Sequence, residues 1–186
     1  ILYRQAMALK PDYADPCCNL GCILQEEGSI AEAMDWYHRA IAIQHDHAGA
    51  RWNLSMCLFL LGRYEEAWVE HEWRLHHEPR KFLYAIPACP RWQADHLPPQ
   101  GQLLLVSEQG LGDVIQFLRY LPSLVDRGLD VSLCAPDSLH SLIAQSLSSV
   151  RLLSPLEAAS WASHPWMSLL SLPRLLGVVP DQPLAI

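Results

Sequence analysis

The two halves of the chain carry different hydrophobic rhythms. Up to about His77, apolar and small residues return at helical spacing in segments broken at Gly28 and Gly62, which predicts helices at about 2–9, 14–27, 30–43, 48–61 and 64–77. From Leu103 the rhythm changes. Leu103-Leu104-Leu105-Val106 is an unbroken apolar run, short enough for a strand buried on both faces. Val114, Phe117, Leu118, Leu121 and Val125 then share one helical stripe, with Gln116, Arg119, Tyr120, Ser123 and Arg127 opposite, and Pro122 is expected to kink that helix. Further strands are expected at about 129–135, 150–153 and 167–170, a helix at about 138–146, and a short one ending near Gly177. Alternating strands and helices imply a parallel sheet with right-handed crossovers, whose ligands gather at the carboxyl ends of the strands. Between the halves, Pro79, Pro87, Pro90, Pro98 and Pro99 forbid long helices, so this stretch reads as an extended connector docking through Phe82 and Trp92. The expected order is helical hairpins over 1–78, a connector over 79–100 and a partial doubly wound sheet over 101–186.

The helical half repeats itself. Leu20, Gly28, Glu32, Ala33 and Tyr37 recur as Leu54, Gly62, Glu66, Ala67 and His71, each displaced by 34 residues, the tetratricopeptide period. Tyr3, Ala6 and Pro11 fit the end of an earlier repeat, so Ile1 is expected to begin inside an array. The alanines sit where paired helices approach closely, and the glycines end the first helix of each pair. Asn19 and Asn53 share the same spacing. On a concave face they would offer amides to a peptide backbone without reading its sequence, or else satisfy local backbone groups. Trp52, Met56, Phe59 and Leu60 would make that face apolar in the last repeat, a patch expected to be covered by the connector or the second domain.

The first strand of the second half runs into Ser107-Glu108-Gln109-Gly110-Leu111-Gly112-Asp113, a glycine turn leading to a helix. Such a junction leaves backbone N–H groups unpaired and suits an anion, a polar substrate or a functional carboxylate. A dinucleotide fingerprint would need a third glycine where Ile115 stands, and a phosphate loop would need Gly-Lys-Ser/Thr where Gly-Asp-Val stands. Neither is present. What remains is Asp113 in the first helical turn, where the helix dipole favours its ionised form.

Glu108-Gln109-Gly110-Leu111-Gly112-Asp113 followed by Ile115-Gln116-Phe117 and Arg119-Tyr120-Leu121-Pro122, with Pro90-Arg91-Trp92 upstream and Leu170-Ser171-Leu172-Pro173 downstream, resembles the glycosyltransferase-like region of bacterial tetratricopeptide-repeat proteins. That region is similar to the ADP-heptose:lipopolysaccharide heptosyltransferases, and the resemblance runs from roughly Pro87 onward. It implies a Rossmann-like sheet forming the N-terminal half of a glycosyltransferase B fold, with the acceptor in that half and a nucleotide sugar mainly on the other. It implies that Asp113 is the catalytic base, with Glu108, Gln109, Gly110 and Gly112 forming the acceptor-binding loop. The paired asparagines resemble the ladder of the O-linked N-acetylglucosamine transferases, which implies peptide binding at Asn19 and Asn53.

Composition narrows the partners. With 51% hydrophobic residues in 186 the chain can fill a core, and its net charge of -7 argues against a general nucleic-acid binder. There is no long apolar run for a membrane span. Six cysteines without a Cys-x-x-Cys pair read as reduced, buried thiols of a cytoplasmic protein, and the histidines, which lack ligand spacing, read as surface residues with no metal. The expectation is a fragment of a repeat-containing glycosyltransferase-like protein, its repeats binding a protein or peptide; the competing reading is a non-catalytic interaction scaffold. Only about 85 residues follow Gly101, an incomplete half, so this chain is expected to lack transferase activity and any cofactor of its own, and to self-associate through apolar surface near 175–186.

Overall fold

The computed structural model describes residues 2–77 and 83–178. The chain divides into two compact units, Ile1–Glu78 and Pro79–Ile186.

The first unit is helical: α1 (Leu2–Leu9), α2 (Asp15–Glu26), α3 (Ile30–Ile43), α4 (Ala48–Leu60), α5 (Tyr64–His71) and α6 (Arg74–His77). Gly28 and Gly62 close α2 and α4 at φ +81° and +71°, a backbone region that disfavours a side chain. The core is built from Ala33, Ala40, Ala50 and Ala67 around a fully buried Tyr37, with Leu54 and Cys57. Small residues let the helices close on that ring. Gly21 makes the closest approach: a Cβ there would stand 2.6 Å from Tyr37 Cε1. Helix α4 starts on His47, whose Nδ1 accepts from Ala50 N at 3.0 Å while Nε2 lies 3.1 Å from Asp15 Oδ1.

Two expectations about this unit are corrected. The single helix expected over 64–77 breaks at Glu72 and Trp73, because the inward-turned Arg74 donates from Nη1 to the His71 carbonyl at 2.9 Å and takes the acceptor a continuing helix would use. His71 is not a surface residue. It is buried edge-on to Phe59 and Trp68, at ring separations of 5.6 Å each. These rings cover Phe59 from within the unit, together with Tyr64, so Phe59 is half-buried while its neighbour Leu60 stays exposed.

The second unit holds a four-stranded parallel sheet, β1 (Gly101–Val106), β2 (Leu129–Cys134), β3 (Arg151–Leu153) and β4 (Trp166–Ser168), in the order β3-β2-β1-β4. Between the strands come α7 (Leu111–Phe117), a 3-10 turn (Leu118–Tyr120), α8 (Leu121–Asp126), α9 (Asp137–Ser146) and α10 (Pro155–Ala159). A second 3-10 turn (Leu169–Ser171) and α11 (Leu172–Leu176) follow β4. Strand order reverses direction at β1, which is why its run is apolar at every position: Leu104 and Val106 pack with Cys134, Leu153, Ala158 and Trp166, and Leu103 and Leu105 point to the opposite face.

The helix after β1 is divided where a kink was expected. The 3-10 turn precedes Pro122, which then sits in the first turn of α8, where its missing N–H costs little. Tyr120, expected on the polar side, is buried against Phe117 at 5.6 Å, because the tighter turn rotates it inward. Helix α10 was not expected from the sequence. The connector docks through its backbone more than through Trp92: Trp92 N donates to Trp166 O at 2.7 Å, Trp166 Nε1 donates to Cys89 O at 3.1 Å, and Tyr84 N donates to Ser107 O at 3.0 Å. The backbone bonds between residues 90–92 and Trp166 lie on the edge of β4 away from β1, which blunts it as a template for another strand. Phe82 and residues 179–186 of the apolar end expected near 175–186 lie outside the described residues.

Candidate functional site

In the repeat unit, α2 contributes Cys22, Gln25 and Glu26, α3 contributes Tyr37 and α4 contributes Asn53 to a cavity of about 280 Å³. Asn53 Nδ2 donates to Cys22 Sγ at 3.1 Å and lies 3.9 Å from Cys18 Sγ. Tyr37 donates its hydroxyl to Gln25 Oε1 at 2.7 Å. The Asn53 carbonyl oxygen has no partner among the described residues, so the amide binds sulfur with one end and presents an acceptor with the other. Asn19 is exposed on α2, three residues before Cys22, and does not line the cavity. The two asparagines share a spacing, but only Asn53 joins the polar set.

The thiols of this set influence one another. The Cys22 thiol is pulled below its ordinary value, first by a hydrogen bond from Cys18, against the opposing effects of burial and the Glu26 carboxylate. Cys18 is pushed up by the same bond, then by burial. Burial, with Cys22 nearby, pushes Cys57 up to about 11. Sequence reading grouped all six cysteines as inert packing; the spacing of Cys18 and Cys22 by one helical turn was visible, but their meeting with Asn53 across two helices was not.

In the second unit the loop after β1 sits between the ends of β2 and β4. Ser107 and Glu108 are fully buried. Ser107 N donates to Cys134 O at 2.9 Å, its hydroxyl has no hydrogen-bond partner among the described residues, and Glu108 bridges antiparallel to Leu83 through its backbone. Gln109 lies at φ +64°, in the left-handed region that a side chain seldom adopts. Gly110 opens α7, and its N–H donates to Asp113 Oδ2 at 3.1 Å. Glu108, Gln109, Gly110 and Asp113 are therefore brought into one turn at the end of the central strand, with Asp113 closing back on the loop as a helix cap. Gly112 is exposed, and an added Cβ would meet nothing within 4 Å among the described residues, whose packing does not require glycine there. Ser168, at the end of the adjacent β4, and Ser171, at the end of the 3-10 turn after it, are also buried, and neither was expected as a site residue. The signal was a polar residue inside the apolar run Met167–Leu170.

Among the described residues, no group of three or more His, Cys, Asp and Glu side chains could hold a metal ion. Nor is any described helix long and apolar enough to cross a membrane.

Comparison with known proteins gives a tetratricopeptide repeat over residues 14–47, which is the α2–α3 hairpin. Protein FlbA of Caulobacter vibrioides is 27% identical over 154 residues, covering 78% of this chain and 24% of that protein. The peroxisomal targeting signal receptor of Eremothecium gossypii is 38% identical over 71 residues, 37% of this chain and 12% of the receptor. The chain thus spans a quarter or less of the length of these relatives. Among solved structures, MamA is 25% identical over 42% of this chain and 46% of its own, with a TM-score of 0.38. An O-GlcNAc transferase point mutant of Thermobaculum terrenum is 22% identical over 82% of this chain and 30% of its own, with a TM-score of 0.37.

Proposed function

Starting from a tetratricopeptide hairpin at 14–47, we propose that the helical unit is a protein-interaction module whose groove takes an extended segment of a partner chain. The observation that carries this is Asn53 lining a cavity of about 280 Å³ with Gln25 and Glu26. An extended segment offers N–H and C=O groups in alternation, and a groove lined by amide and carboxylate groups matches them without demanding one sequence. The test is selection of random extended peptides against the 186-residue chain, followed by hydrogen exchange with and without the selected peptide. Protection on α2 and α4 supports the reading; protection confined to the second unit contradicts it.

A second reading rests on Gln109. A non-glycine residue held at φ +64° beside a fully buried glutamate, at the end of the central strand, is a costly arrangement of the kind that accompanies binding sites. On this reading the second unit holds the acceptor of a glycosyl transfer carried out by a longer protein. Asp113 exchanges its bond to Gly110 N for the acceptor hydroxyl and removes its proton, while a nucleotide sugar bound elsewhere supplies the sugar. Replacing Asp113 with asparagine in that longer protein separates the roles. Lost turnover in a folded enzyme supports the base, and retained turnover leaves Asp113 as a cap.

A further inference from the structure

We infer that the groove of the helical unit takes a basic segment: an extended partner chain that lays a lysine or arginine against the Glu26 carboxylate beside Asn53. This rests on the groove being a peptide site, and it names the chemistry of the occupant. The charge of the chain is unevenly placed. Residues 1–78 hold twelve of the 20 Asp and Glu but six of the 13 Lys and Arg, so nearly all of the net charge of -7 lies in them. The described cations there are already engaged. Arg51 holds Glu70 at 2.9 Å, Arg63 holds Glu66 at 2.6 Å, and Arg74 is buried on Glu72 at 3.2 Å. Lys10 and Arg39 lie over the Tyr13 and Trp36 rings, at 5.3 Å each. By contrast Glu26, Glu27, Glu32 and Asp35, all within the matched hairpin, are exposed and have no ion-pair partner among the described residues.

Glu26 is where that surplus meets the cavity, as the carboxylate among its lining residues. It is also the last residue of α2, whose final turn has no basic side chain. The negative end of the helix dipole therefore adds to the carboxylate, and both are left for a cation from outside the unit. The walls suit the rest of a lysine or arginine. Cys22 and the Tyr37 ring are apolar surface for its methylene stem, and Gln25 and Asn53 are amides for the adjoining backbone. An acidic segment would meet like charge at Glu26 and around it, and a neutral one would leave that carboxylate without a partner.

The test titrates the 186-residue chain into three fluorescent peptides of equal length: one of alternating lysine and serine, and its counterparts with glutamine or glutamate in place of lysine. At low salt the lysine peptide is expected to bind at least about tenfold more tightly than the glutamine peptide, with the glutamate peptide weakest, and the advantage should shrink as salt is added. Glu26→Gln should weaken the lysine peptide at least about threefold and leave the glutamine peptide unchanged. Glu65→Gln, at an exposed position outside the cavity lining, should change neither. Both substitutions fall on exposed side chains, so the melting temperature should stay where it is. Equal affinity for the lysine and glutamine peptides, or a lysine peptide that Glu26→Gln weakens no more than Glu65→Gln does, would overturn the proposal and leave the groove as a peptide site. Failure of all three peptides to bind would overturn the peptide site itself, and the proposal with it.

Discussion

His71 illustrates how one residue carries a pH signature for its whole unit. Burial, with the Arg74 charge adding to it, pushes its imidazole down to about 2, and Nδ1 has no hydrogen-bond partner among the described residues. The folded value lies below the unfolded one, so the unfolded chain binds more protons in between. Stability from this residue is fully present above about pH 6.5 and falls as pH drops toward about 2, by up to ~1.4 kcal/mol per pH unit. Replacing His71 with glutamine should flatten the fall of melting temperature between pH 6.5 and 4; an unchanged slope would place the titrating group elsewhere. The sequence hid this, because His71 aligned with Tyr37 in the repeat and that equivalence marked a core position, yet its residue type argued for the surface. Asp113 was more legible: its place in the first helical turn marked it as an ionised carboxylate at the loop and the family resemblance implied the base, while the cap follows from the bond to Gly110 N. Asp113→Asn should cost about 0.5–1 kcal/mol by weakening that cap, read as a shift in the urea midpoint at constant slope.

At the scale of elements, glycine positions separate packing from conformation. Gly21 lies inside α2, where glycine to alanine ordinarily stabilises a helix by about 0.5–1 kcal/mol. A Cβ 2.6 Å from the Tyr37 ring reverses the sign, since that ring is fully buried and has nowhere to move. G21A should therefore lower stability by about 1–3 kcal/mol, as overpacked cores do, and a rise in melting temperature would show that the ring can yield. Gln109 behaves in the opposite way. Its φ of +64° is left-handed, so Gln109→Gly should stabilise by about 1 kcal/mol; a loss of stability would mean that the glutamine side chain is held by contacts that outweigh the strain. Most elements were readable because their hydrophobic periods were unambiguous, as in α3, where the expected and observed bounds coincide. The α5–α6 break was not, because it follows from where the Arg74 guanidinium turns, which no local pattern encodes. Helix α10 was missed for a related reason. Its five residues hold less than two turns of pattern, although Ser154 and Glu157 form a capping box that could have marked its start.

At the scale of the molecule the alternation of strands and helices was legible, whereas the strand order and the shielding of the β4 edge by residues 90–92 were not, because pairing partners are set by the tertiary fold. The second unit presents one four-stranded sheet, and calorimetric titration with a panel of nucleotide sugars should give no heat of binding at micromolar concentrations of the 186-residue chain. Micromolar binding would put a donor site at the β1 loop itself. The central claim, however, concerns the groove of the helical unit, and it is tested most directly by titrating a selected extended peptide into the unaltered chain and into a chain carrying both Asn19→Ala and Asn53→Ala. Half-exposed and exposed side chains contribute little to folding, so the melting temperature should stay within a few degrees. The account predicts that the double variant, in a folded chain, binds the peptide at least about tenfold more weakly, a loss of about 1.4 kcal/mol. Equal affinity for both chains would contradict it.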